Sequence, residues 1–222
     1  MTKRILIVGA SGGIGSALAA EYRGRGCEVT GLSRSGDGLD ITDPASVERA
    51  MGELTGPFDV VIVATGVLET DAYAPEKAID QVTADGLTDQ FRINAMGPML
   101  VLRHALPLLP EEGPGVFAAL SARVGSIGDN RIGGWHGYRA AKAALNQLIH
   151  GASVELKRTH PEVVALCLHP GTVETPFTAK YAGRHKTVPA AEAAANLAGV
   201  IDRARPEHSG GFYDYAFEEI PW

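Results

Sequence analysis

The stretch Ile5-Leu6-Ile7-Val8-Gly9-Ala10-Ser11-Gly12-Gly13-Ile14-Gly15 decides the fold. Its consecutive apolar residues read as a strand covered on both faces, and the glycines after them as a sharp turn into a helix. Gly9, Gly13 and Gly15 stand where backbone must turn, approach a pyrophosphate without Cβ hindrance, and let a helix pack closely on its strand. A helix opening here aims free N–H groups at phosphates, which makes Ser11 and Ile14 candidate cofactor contacts beside the three glycines. The spacing is Gly-x-x-x-Gly-x-Gly, not the commoner Gly-x-Gly-x-x-Gly. The turn alone is therefore also compatible with a glycine-rich connection that holds no ligand.

Working outward, near-continuous apolar runs recur at 4–9, 27–33, 58–64, 115–121 and 162–169, with a last strand near 211–215. Helical patterns lie between them at 13–24, 45–54, 85–109, 137–158 and 189–203. This alternation predicts an α/β fold, a doubly wound parallel sheet of Rossmann type with helices in layers on both faces and right-handed crossovers. One connection is too short. Between Ser33 and Asp40 lie only the residues Arg34 to Leu39, whereas a parallel crossover needs about a dozen. The helix after the second strand is expected to be missing or vestigial, as is any edge strand at 39–41, leaving the adenine side of the cleft open.

The 222 residues suit one domain, expected over 1–222. The formal charge of −6 has both signs interspersed, and no lysine-arginine block marks a nucleic-acid or anionic-membrane surface. No apolar run reaches the roughly 18 residues of a membrane span. Cys27 and Cys167 sit in strand-like runs, and Met1-Thr2-Lys3-Arg4 leads straight into a strand without a signal-like segment, so the cytoplasm is the expected location. None of the seven histidines pairs at ligand spacing and no metal site is expected; each reads as a surface or satisfied residue. His136, beside Trp135 and two residues before Tyr138, is the exception to watch.

Tyr138 and Lys142 fall at i and i+4 on a predicted helix, one turn apart on one face. A phenol of ordinary pKa near 10 is a poor proton donor or acceptor at neutral pH unless a nearby cation favours its phenolate. An isolated Tyr-x-x-x-Lys is weak evidence. Here it stands in a series: the turn at 9–15, Asp40-Ile41-Thr42-Asp43, Ile93-Asn94-Ala95-Met96-Gly97, Ser121 after a strand, Tyr138-Arg-Ala-Ala-Lys142, and Pro170-Gly-Thr-Val-Glu-Thr175.

In this order, over nearly its whole length, the chain resembles the short-chain dehydrogenase/reductase family of single-domain type. The run from Ser121 through Asn146 is most similar to the branch that holds C-factor-like proteins and sniffer-type carbonyl reductases. The resemblance implies an NAD(P)-dependent oxidoreductase that interconverts a small carbonyl compound and an alcohol. It implies Tyr138 as general acid or base, Lys142 lowering the phenol's pKa and holding the nicotinamide ribose, and Asn94 positioning a water toward Lys142 within the long helix, near a kink at Gly97-Pro98. The family's Ser-Ser-x-x-Gly reads here Ser121-Ala122-Arg-Val-Gly125, so Ser121 after a one-residue shift, Ser126, or no serine polarises the carbonyl; Ser121 is favoured. Val63-Ala-Thr-Gly66 replaces the usual Asn-Asn-Ala-Gly, with Gly66 still allowing approach to a ribose.

At the end of the second strand, where an NAD binder places an acid, stand Ser33 and Arg34. A guanidinium matches a 2′-phosphate, so NADP(H) is favoured over NAD(H). Asp40 is expected at the adenine amino group, Ile41 against the ring, and Pro170, Val173 and Thr175 around the carboxamide. A short lid is expected at 176–188, and a homodimer or tetramer through the helices at 85–109 and 137–158, carrying Met99, Leu102, Leu106, Leu145 and Leu148. The competing reading is a regulatory NADP(H)-binding protein of the same fold without turnover; a nucleotide-sugar epimerase is disfavoured because no substrate domain follows residue 175.

Overall fold

The computed structural model describes residues 2–70, 73–175, 178 and 187–222. Its elements follow the predicted alternation: β1 (Arg4–Val8), α1 (Gly13–Gly24), β2 (Glu28–Leu32), α2 (Arg34–Asp37), α3 (Pro44–Gly52), β3 (Val60–Val63), α4 (Ala84–Phe91), α5 (Gly97–Ala105), β4 (Gly115–Leu120), α6 (His136–Thr159), β5 (Val163–His169), β6 (Val173–Glu174), β7 (Val188–Pro189), α7 (Ala190–Arg203) and β8 (Phe212–Asp214). Six strands pair in the order β2-β1-β3-β4-β5-β8, all parallel, while β6 and β7 form a separate parallel pair.

Alternation along each strand divides the core between two layers. On β1, Leu6 and Val8 face α3, α5 and α6 with Val61, Phe117 and Leu145, whereas Ile5 and Ile7 face α1 and α7 with Leu18, Ile62 and Leu197. Charged residues at helix surfaces leave these two layers apolar. Because all six strands run parallel, their carboxyl ends lie at one sheet edge, where those of β1, β3, β4 and β5 open a crevice.

The short β2 to α3 connection folds as its length requires. Only one helical turn, α2, fits after β2, capped by Ser33, whose hydroxyl accepts from the Gly36 N–H at 3.0 Å. Residues 39–41 form no strand; Leu39 and Ile41 are buried in the core as irregular chain. Gly97 permits this, because a Cβ there would stand 2.7 Å from Ile41 Cδ1.

The long helix expected at 85–109 is interrupted. A π-helical segment, Arg92–Met96, joins α4 to α5, with the Gly97 N–H reaching back to the Arg92 carbonyl. Pro98 has no N–H for the Asn94 carbonyl four residues earlier, so an α-helical ladder cannot run unbroken through this point. Of the apolar residues expected at a subunit contact, Leu102 and Leu145 are instead buried in this chain's own core, and Met99, Leu106 and Leu148 pack partly against it. The expected lid at 176–188 lies mostly outside the described residues. Among the described residues no helix is long and apolar enough to cross a membrane.

Candidate active site

The glycine turn is built as a backbone cradle. Gly9 takes φ +94°, and its N–H and that of Ala10 both donate to the Leu32 carbonyl, pinning the turn to the end of β2. A Cβ on Gly15 would lie 2.1 Å from the Gly9 carbonyl oxygen, so α1 can close on the turn only with glycine there. A Cβ on Gly13 would meet Thr175 Cγ2 at 2.5 Å, which places the Pro170–Thr175 loop directly over the first turn of α1. The first-turn N–H groups of that helix lack intrahelical acceptors.

Two cavities of about 400 Å³ and 380 Å³ flank the turn and share Ser11, Gly12, Ala64, Thr65 and Gly66. The first takes in Gly9, Ser33, Arg34, Asp40 and Ile41. The second takes in Gly13, Ile14, Ser121, Tyr138, Lys142, Pro170, Val173 and Thr175. Fifteen of the residues singled out from the sequence thus line one continuous crevice. Gly15 sits beneath the turn and Asn94 behind the wall. The Asp40 carboxylate accepts from the Thr42 N–H and hydroxyl, both at 2.8 Å, which hold it below the usual carboxylate range, with Arg34 and Arg92 adding to the effect.

α6 carries Tyr138 and Lys142 into the second cavity, and both are buried. The Lys142 Nζ donates to the Leu120 carbonyl at 2.8 Å and stands 5.8 Å from the centre of the Tyr138 ring. Burial lowers Lys142 to about 8, opposed by the neighbouring Cys167, whose own thiol burial pushes up to about 12. Burial likewise pushes the Tyr138 phenol well above its ordinary value. The expected lowering of the phenol by Lys142 would act against this desolvation. Gly125 lets the loop after β4 lie on α6, since a Cβ there would be 2.9 Å from Lys142 Cβ.

Asn94, wholly buried in the π segment, works from behind the wall. Its Oδ1 accepts from the Val67 N–H at 3.1 Å, and its Nδ2 donates to the Val67 carbonyl at 2.9 Å and to Gln90 Oε1 at 2.7 Å. A Cβ on Gly66 would lie 3.0 Å from Asn94 Oδ1 and 3.4 Å from Lys142 Nζ, so these three residues converge at one point.

The serines separate. Ser121 lines the cavity, and its hydroxyl donates to Asn146 Oδ1 at 2.7 Å. Ser126 does not line it; its hydroxyl donates to the Pro221 carbonyl and accepts from the Asp129 N–H at 3.1 Å. Ala122 holds the position where the family places its second serine.

Sequence reasoning passed over several residues here. Glu76 is buried and accepts the Gly137 N–H on both carboxylate oxygens at 3.2 Å, capping α6, whose own N-cap Trp135 has φ +50° and no side-chain cap bond. A Cβ on Gly137 would be 3.1 Å from Glu76 Oε1, so glycine there admits the carboxylate. Asp37 takes both the N–H (2.8 Å) and the hydroxyl (3.2 Å) of Ser33, beside Arg34. His169, read as a surface or satisfied histidine, lines the second cavity. Only its place directly before Pro170 could have flagged it. His136 begins α6 and lines neither cavity. Among the described residues no cluster of three or more His, Cys, Asp or Glu could hold a metal.

Comparison with known proteins agrees with this geometry. Residues 3–185 match the short chain dehydrogenase family. The C-signal protein of Myxococcus xanthus is 37% identical over 169 residues, 76% of this chain and 95% of that protein. The 1-hydroxy-2-glutathionyl-2-methyl-3-butene dehydrogenase of a Rhodococcus species is 33% identical, with 94% of each chain covered. Among solved structures, a short-chain dehydrogenase/reductase described from Burkholderia multivorans with bound NADP superposes with TM-score 0.86 at 28% identity, covering all of both chains. The chain belongs to the short chain dehydrogenase family and is an oxidoreductase.

Proposed function

We propose that this oxidoreductase binds NADP(H) along the double cavity and interconverts an uncharged carbonyl compound and its alcohol at Tyr138. The observation that carries the reading is the junction of the two cavities at the glycine turn, with Arg34 at one end and the Tyr138–Lys142 pair at the other. The residues present fit a dinucleotide: a turn closed to side chains at Gly9, Gly13 and Gly15, and a helix N-terminus whose Ser11, Gly12, Gly13 and Ile14 border the crevice. When bound, the cofactor supplies or accepts the hydride.

The chain's own residues do the rest. The Tyr138 hydroxyl gives its proton to the carbonyl oxygen as alkoxide character develops there, and takes it back in the oxidative direction. Burial keeps the phenol protonated, and the neighbouring Lys142 ammonium is the group that eases its proton loss by favouring the phenolate. Lys142, fixed by the Leu120 carbonyl, holds the ribose hydroxyls, and Asn94 keeps Val67 and Gly66 drawn back from that ribose. Val173 and Thr175 close over the carboxamide side with Pro170, while Arg34 meets a 2′-phosphate beside Ser33 and Asp40 and Ile41 take the adenine. Ser121 borders the substrate with its proton turned to Asn146, so it offers the substrate an acceptor.

A single domain in the cytoplasm, paired as a homodimer across α5 and α6, completes the proposal. An apolar groove of about 230 Å³ between Met99, Leu106, Ala152 and Leu156 supports that pairing face; a monomer mass by light scattering at micromolar concentration would exclude it. The regulatory alternative draws on Ala122 and the committed Ser121 proton. Titration with NADPH, followed by a screen of aldehydes, ketones and quinones, separates the two, since a silent binder passes the first and turns over nothing in the second.

A further inference from the structure

The second cavity has a polar group that the proposed machinery leaves unused. His169 ends β5 and lines the same space as Ser121, Ala122 and Tyr138. Its Nδ1 is sealed from solvent and has no hydrogen-bond partner among the described residues. The neighbour best placed to take it is Asp214, which stands opposite His169 in register on β8. That carboxylate is engaged elsewhere: its Oδ1 accepts the N–H groups of Ala216 at 2.9 Å and Glu218 at 3.1 Å. Arg123, the other nearby charge, opposes protonation of the ring and pairs with Asp129 at 2.6 Å.

These observations fix the ring's chemistry. Burial lowers His169 to about 4 despite Asp214, so at neutral pH the imidazole is uncharged and carries one N–H. An orphaned buried N–H is rarer and costlier than an orphaned acceptor, which places the proton on Nε2 and leaves Nδ1 as the unpaired acceptor. The exposure His169 retains is therefore not at Nδ1, and Nε2–H is the donor left for an occupant of the cavity.

A carbonyl being reduced gains negative charge on oxygen, and a second donor beside the proton-giving group stabilises it. The two candidate serines, Ser121 and Ser126, are already engaged with protein partners. Ala122 has no hydroxyl, Ser126 is tied to Pro221 outside the cavity, and Ser121 points its proton at Asn146. We propose that His169 donates its imidazole N–H to the substrate's carbonyl oxygen, with Tyr138 as the proton donor, and so fills the role left open at Ala122. No bond to the imidazole forms or breaks; the proton lost to the oxygen is that of Tyr138. The inference rests on the carbonyl-reductase reading of the site. It also narrows the substrate, because a cavity bordered by Ile14, Leu120, Ala122 and Val173 with an uncharged donor suits an apolar or aromatic carbonyl.

The test uses the full chain with NADPH and three aromatic probes, benzil, phenanthrenequinone and benzaldehyde. His169→Leu is expected to lower kcat by about a hundredfold on any probe the wild type reduces, the order of loss for one oxyanion donor, with the NADPH dissociation constant unchanged. His169→Gln, which keeps an N–H donor, is expected to recover most of that rate. The loss at His169→Leu should exceed that at Ser121→Ala. A second readout needs no turnover: in wild type with NADP⁺, addition of benzil should shift the His169 Nε2 resonance in a ¹⁵N spectrum. This spectrum decides the matter alone if His169→Leu does not fold. A wild-type rate in His169→Leu, a parallel loss of NADPH affinity, a loss confined to Ser121→Ala, or an unmoved resonance overturns the inference while Tyr138→Phe still reports on the site. If wild type reduces none of the probes, the carbonyl-reductase reading falls and the inference falls with it.

Discussion

Ser121 donates its hydroxyl proton to Asn146 Oδ1 at 2.7 Å, joining the end of β4 to α6 two helical turns beyond Tyr138. The bond orients a serine that lines the second cavity beside Tyr138, and both partners are buried. Asn146→Ala should leave that hydroxyl without its acceptor and cost about 1 to 3 kcal/mol of stability. Urea denaturation measures it, and a change below about 0.5 kcal/mol would mean the bond is not made in solution.

Glu76 caps the helix that carries both Tyr138 and Lys142, meeting the Gly137 N–H with two oxygens at the positive end of the helix dipole. Glu76→Ala removes a buried acceptor and the anion together. The expected loss is on the order of 2 to 3 kcal/mol, with Glu76→Gln losing less because it still accepts. Equal stabilities of the two variants would show that the carboxylate does not act as the cap.

At the adenine end, Arg34→Ala should weaken NADPH about tenfold and leave NADH unchanged, the size of one charge-assisted contact. Asp37 places a carboxylate on the donors of Ser33 beside that arginine, so Asp37→Asn should strengthen NADPH selectively. Fluorescence titrations with both cofactors check this. Equal dissociation constants for NADPH and NADH in the wild type would remove the basis for the preference.

The Lys142 ammonium should make NADPH affinity depend on pH. Burial lowers its pKa from the ordinary lysine value to about 8, so the charged form is fully present below that pH and is lost as pH rises through it. The dissociation constant is expected to stay flat from about pH 6 to 7.5 and to climb above about 8. In Lys142→Met the climb should vanish; its persistence would assign the titration to another group.

Much of this was legible in the sequence because it depends on local periodicity and spacing. Apolar runs and the glycine turn give the parallel sheet and its crevice, and six residues between Ser33 and Asp40 forbid a full crossover helix. The i, i+4 spacing brings Tyr138 and Lys142 to one cavity. What escaped is set by contacts between distant segments. Glu76 meets Gly137 across 61 residues, Ser126 bonds to Pro221, and His169 lines the cavity with residues from β4 and α6 that lie far from it in sequence. The π turn at Asn94 was half visible, through Pro98, as a kink. The burial that raises Tyr138 was not legible, because burial, unlike spacing, cannot be read along the chain.

Tyr138 is proposed as the proton donor in carbonyl reduction. Single-turnover reduction of an aromatic carbonyl by enzyme preloaded with NADPH tests it most directly, comparing wild type with Tyr138→Phe. With Tyr138 as the general acid, the variant keeps the NADPH dissociation constant and loses about 10² to 10⁴ in rate, the contribution of general acid catalysis. Reduction by Tyr138→Phe at the wild-type rate would contradict it.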